Sequence, residues 1–180
     1  MSQRRFFVAV SVVSMLLLMP AIQGFDNGVY NRASGCGCHS QTGSNPASVS
    51  ISGLPSAYDV NKLYQVTVSV SGGVQGSSGG FSLEVDKGTL STGMGLMLVK
   101  VNNQGNSATH TITGSSYRSW SFEWTAPAAG SGTVSFEVAG LTTNGNSQNS
   151  GDRWITDIVQ IPENVPVNNP PSASNALLNP

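Results

Sequence analysis

Apolar residues fall on alternate positions along most of this chain, and that spacing restricts the fold more than any other feature. Val49 and Ile51 alternate with Ser, and Tyr64, Val66, Val68 and Val70 alternate with Gln, Thr and Ser. Phe81, Leu83 and Val85 form a third run, Leu96 to Val101 a denser fourth. Ala108, His110 and Ile112 share the face of a fifth. Trp120, Phe122 and Trp124, then Val134, Phe136 and Val138, and finally Ile155 to Ile161 complete the set. Successive side chains of a strand point to opposite faces, so a period of two belongs to half-buried strands. After the N-terminal segment no helical period competes with it. Turn formers separate the runs: Gly72-Gly73, Ser77 to Gly80, Lys87-Gly88, Asn102 to Gly105, Pro127, Gly130 to Gly132 and Asn144 to Asn146. The pattern predicts an all-β fold, an antiparallel sandwich of about seven or eight short strands. One face of each sheet should pack in the core and the other meet water. Trp120, Phe122 and Trp124 should face the core, where aromatic rings bury large areas.

The two ends of the chain do not share this pattern. Arg4 and Arg5 precede an apolar run from Phe6 to Met19, then Pro20 and the small-residue stretch Ala21 to Gly24. This has the form of a secretory signal peptide over residues 1–24, too short for a comfortable membrane span. Residues 25–46 are rich in Gly, Ser and Asn and read as an extended strap on the sandwich, which occupies residues 47–161. Residues 162–180 carry five prolines and read as a linker or tail. The expected location is therefore secreted or cell-surface, with no direct membrane span once the signal is removed.

Charge excludes several functions. The chain has eight Lys and Arg against nine Asp and Glu, and leaving out Arg4 and Arg5 leaves six basic residues. No basic patch is present, which argues against nucleic acid as a partner. The motifs of hydrolases, zinc proteases and phosphate-binding loops are missing, so the chain does not read as an enzyme. Glu84, Asp86, Asp152 and Asp157 do not fall into a calcium-loop pattern, and Glu84 and Asp86 read as solvent-facing positions of one strand.

What chemistry the chain has is concentrated in Ser34-Gly35-Cys36-Gly37-Cys38-His39-Ser40. Cys36 and Cys38 are its only cysteines, and His39 is one of two histidines. The cluster lies close to Cys-x-x-Cys-His, the c-type haem attachment signature, but is one residue shorter. Three readings stay open. In the first, Cys36 and Cys38 attach haem c, His39 is the proximal iron ligand, and the distal ligand is His110, Met94 or Met97. In the second, Cys36, Cys38, His39 and His110 form a Cys2His2 site for zinc or copper. In the third, the cysteines form a tight disulfide and His39 is an ordinary surface imidazole. His110 has its own plain alternative as a half-buried histidine bonded to a neighbour.

The run Ser119-Trp120-Ser121-Phe122-Glu123-Trp124-Thr125-Ala126-Pro127, followed by Gly132-Thr133-Val134-Ser135-Phe136, resembles the Reeler (reelin N-terminal) domain and its prokaryotic choice-of-anchor V relatives. Gly80-Phe81, His110-Thr111, Asn144-Gly145-Asn146 and Ser150-Gly151-Asp152 match further motifs of that group. The resemblance spans roughly residues 34–160 and implies an immunoglobulin-like β-sandwich on an exported or surface protein. It also supports His110 as a ligand. The chain departs from the group in having one residue between its cysteines where Cys-x-x-Cys-His has two. The sequence therefore ranks a secreted or cell-surface interaction or structural module first, with an unidentified extracellular protein or surface component as partner. An extracellular electron-transfer domain with one haem c, and hence a redox partner, comes second. The zinc or copper site comes third.

Overall fold

A computed structural model describes residues 26–41, 45–146 and 148–165. The expected signal peptide lies outside the described residues, as does the tail from residue 166. Ten strands run in chain order: β1 (Ser40–Gln41), β2 (Ala47–Ser52), β3 (Leu63–Gly72), β4 (Gly79–Val85), β5 (Thr89–Ser91), β6 (Val99–Val101), β7 (Ser107–His110), β8 (Ser119–Thr125), β9 (Val134–Thr142) and β10 (Ser150–Ile161). They form a six-stranded sheet, β1-β10-β9-β4-β7-β6, and a four-stranded sheet, β2-β3-β8-β5. All pairings are antiparallel except that of β1 with β10. The all-β sandwich expected from the alternation is the fold observed. Eight strands match the apolar runs, while β1 and β5 are too short to show a period.

β8 shows most plainly why the chain folds this way. Trp120, Phe122 and Trp124 are buried, while Ser119, Ser121 and Glu123 face outward. On the outer face Ser121 Oγ is 2.8 Å from Thr67 Oγ1 of β3, and Ser119 Oγ is 3.0 Å from Ser69 Oγ. Inside, Trp124 meets Phe136 of β9 edge to face at 4.9 Å, and Phe81 of β4 lies 4.9 Å from Trp120. The buried indole nitrogens are satisfied: Trp120 Nε1 donates to the Gly114 carbonyl and Trp124 Nε1 to that of Lys87. Rings that bury this much area and leave no donor unpaired form the energetic centre of the sandwich.

Three local expectations come out differently. The dense run from Leu96 narrows to β6, because Gly93–Gly95 forms a 3-10 turn before it. Ile112 lies beyond the end of β7 and is exposed. Residues 162–164 still belong to the sandwich. The Tyr58 amide donates to the Pro162 carbonyl, and the Glu163 carboxylate accepts the amides of Gly130 and Gly132.

A larger departure concerns the outer face of the six-stranded sheet. Every residue of β7 is buried, and so are all but one of β4. Both of their faces are covered, where the alternation suggested one face in water. The strap supplies the cover. The amides of Asn31, Arg32 and Ala33 donate to Ser107 Oγ, Ser82 Oγ and Glu84 Oε1. Glu84 thus faces the strap and not open solvent, while Asp86 is exposed. Lys100 donates to the Asn27 carbonyl and lies over the Tyr30 ring. A segment with no apolar period is held by polar side chains that a sheet would otherwise show to water.

Candidate functional site

The strap ends by joining β10 in parallel, with Ser40 opposite Ser150 and Gln41 opposite Asp152. That register carries the cysteine cluster onto the upper part of β10. The His39 amide donates to the Cys36 carbonyl and closes a turn. Asn149 Nδ2 donates to the Cys38 carbonyl, and Trp154 Nε1 donates to that of His39. Gly35 permits this approach: its φ is +145°, and a Cβ there would stand 2.9 Å from the Trp154 ring. His39 Nδ1 lies 2.6 Å from Asp152 Oδ2.

The other histidine comes from β7. His110 is buried, and its Nδ1 sits 3.2 Å from the Phe81 nitrogen and 3.3 Å from the Phe81 oxygen. The amide can only donate and the carbonyl only accept, so this site accommodates either imidazole tautomer. Donation to the carbonyl is the one that frees Nε2. Burial pushes the imidazole down to about 4 against an ordinary 6.5, outweighing the Phe81 carbonyl that favours the charged form. The charge on Lys100 also acts against protonation. His110 is thus held neutral, the state in which imidazole binds a metal. The ring packs against Gly80, where a Cβ would stand 2.6 Å from His110 Cε1.

Strap and strand meet around one cavity. Cys36, Cys38, His39 and His110 all line a space of about 220 Å³, together with Val29, Phe81 and Leu141, and Arg32 is also part of its wall. A second space of about 390 Å³ shares His39, His110 and Leu141 with the first and extends to Asn146 and Gln148. Both cysteines are free thiols, Cys36 partly buried and Cys38 exposed. Burial, with the neighbouring Cys38 adding to it, pushes the Cys36 thiol up to about 12. A thiol held in that state is a poor nucleophile and a poor thiolate ligand.

All four residues singled out by the sequence therefore share one cavity wall. Met94 and Met97 do not line it and are 96% and 75% exposed. Among the described residues no three His, Cys, Asp or Glu side chains converge closely enough to hold a metal ion. Zinc needs its protein ligands about 2.0–2.3 Å from a single point. Two imidazoles, those of His39 and His110, border the space. Asp152 is the partner that the sequence did not single out for this site. Its only sign there was the Ser150-Gly151-Asp152 motif, because the burial of one aspartate leaves no local pattern.

No protein-family model matches this chain, and no curated protein matches it. Among solved structures, a crystal structure of the human F-spondin reeler domain shares 18% identity at a TM-score of 0.47, covering 65% of this chain and 88% of that one. A second fragment of the same human domain shares 19% identity at a TM-score of 0.47, covering 65% and 91%. The Reelin-N domain of F-spondin shares 16% identity at 0.46, covering 71% and 93%. The structural neighbours of this sandwich thus include reeler domains of F-spondin.

Proposed function

We propose that this chain is an exported β-sandwich that carries one c-type haem between its strap and β7 and serves in extracellular electron transfer. The observation that carries this reading is the shared cavity: Cys36, Cys38 and His39 border it from the strap and His110 from the sheet. The sequence ranked the cofactor-free module first because the attachment motif is one residue short. The meeting of the cluster with a buried imidazole is what supports the haem reading here. Cys36 and Cys38 would each add S–H across a haem vinyl group to form a thioether, a step with no leaving group. His39 and His110 would hold the iron, and Val29, Phe81 and Leu141 would exclude water from the site. Arg32 lines the cavity and brings positive charge for the propionates. When bound, the haem supplies one-electron redox chemistry. Export rests on the signal-like segment with Arg4 and Arg5, and agrees with c-type attachment outside the cytoplasm.

The test is expression in a host that matures c-type cytochromes, followed by a visible spectrum and intact mass. A Soret band and a haem-sized mass increment are expected, both lost in Cys36→Ser/Cys38→Ser. Absence of both from the wild type sinks the reading, and a loss of two hydrogens assigns the cysteines to a disulfide. The surface-module reading then stands. Its support is the exposed apolar tip formed by Met94, Leu96 and Met97.

A further inference from the structure

Among the described residues Asp152 is the only acidic side chain that is buried, at 0% exposure. Burying a carboxylate is costly unless its oxygens are bonded. Here one oxygen lies 2.6 Å from His39 Nδ1, and the other accepts the Asn144 amide at 3.2 Å. We infer that Asp152 is the positioning residue of His39, and that it presents this histidine to the cavity as an iron ligand. This inference rests on the haem reading of the site.

The argument begins with hydrogen-bond capacity. A carboxylate only accepts, so the proton in this contact sits on Nδ1. In the uncharged ring that leaves Nε2 as the atom with a free lone pair. An uncharged imidazole without such a partner exchanges between two tautomers, and one of them cannot bind iron through Nε2. The peptide beneath the ring is held from the same side, through Asn149 to the Cys38 carbonyl and Trp154 to the His39 carbonyl. The start of β10 and the loop before it therefore set ring, tautomer and peptide together. A carboxylate on the far side of a ligating imidazole also raises its basicity. With haem bound, that would favour the oxidised iron and lower the reduction potential.

The first experiment needs no haem. In the haem-free wild type with nitrogen-labelled histidine, long-range proton–nitrogen correlation in mildly alkaline buffer reports the His39 tautomer. The expected result is a ring protonated at Nδ1 with Nε2 bare. A ring protonated mainly at Nε2 overturns the inference. Asp152→Asn should give a mixture of tautomers, and an unchanged tautomer overturns it too. Should that variant fail to fold, the wild-type measurement decides alone.

The second experiment uses the haem-loaded protein. Asp152→Asn should raise the reduction potential and let exogenous imidazole displace His39 at about a tenfold lower concentration. A purely structural aspartate would move neither, so unchanged values overturn the inference. A wild type that takes up no haem overturns the haem reading and with it this role. That failure is distinct, because the tautomer result is then left standing by itself.

Discussion

His110 and Gly80 show how little of a residue's chemistry is contained in its own type. The alternation placed His110 on the face of Ala108, and the structure buries it along with every other residue of β7. What its Nδ1 meets is Phe81, 29 positions earlier, which no local pattern reveals. The sign of its effect on stability follows from its lowered value. Between about 6.5 and 4 the unfolded chain binds a proton that the folded chain refuses. The His110 contribution to the stability of the haem-free protein is therefore full above 6.5, falls as the pH drops toward 4, and levels below it. Denaturant titrations across that window should show the wild type losing more than His110→Gln. Identical profiles would remove the neutral buried histidine. Gly80→Ala puts a methyl group 2.6 Å from the His110 ring. A cost of about 1–3 kcal/mol is expected from this overpacking, read as a lower denaturation midpoint.

The elements divide into those whose position follows from period and those placed by polar contacts. β8 belongs to the first kind, since its apolar face was evident and faces the core as expected. Phe122→Ala should cost about 3–5 kcal/mol, measured by chemical denaturation, because the surrounding rings cannot close the cavity. The strap belongs to the second kind. Its Gly, Ser and Asn residues carry no period, and it is held by side chains of β4 and β7 that accept its amides. Glu84→Ala removes the acceptor of the partly buried Ala33 amide. A loss of about 1–3 kcal/mol is expected. Faster hydrogen exchange at Ala33 and its neighbours would locate that loss in the strap. Exchange confined to the sheet would argue that Glu84 does not hold it.

For the whole molecule the haem reading has a mechanical consequence. A haem attached at Cys36 and Cys38 and ligated by His110 would tie the strap to β7. The thioethers would persist in the unfolded chain, but ligation by His110 belongs to the folded state and so would stabilise it. The haem-loaded protein should therefore melt several degrees above the haem-free one, and that gap should shrink in His110→Ala. Thermal melts of all four species check this, and equal gaps would detach His110 from the iron. The class of fold was legible in the sequence because alternation is local: each strand residue points away from its neighbours whatever lies beyond. The cysteine cluster was legible for the same reason, as adjacent residues. What the cluster faces was not. His39 and Asp152 are 113 positions apart, and their meeting depends on β1 pairing with β10 in one register. The strap's course over β4 and β7 then brings His110 to the same cavity. Period and composition determined that this chain makes a sandwich. Only the tertiary structure decided that its reactive residues share one wall, because contacts between distant segments follow from sheet order and register, not from local spacing.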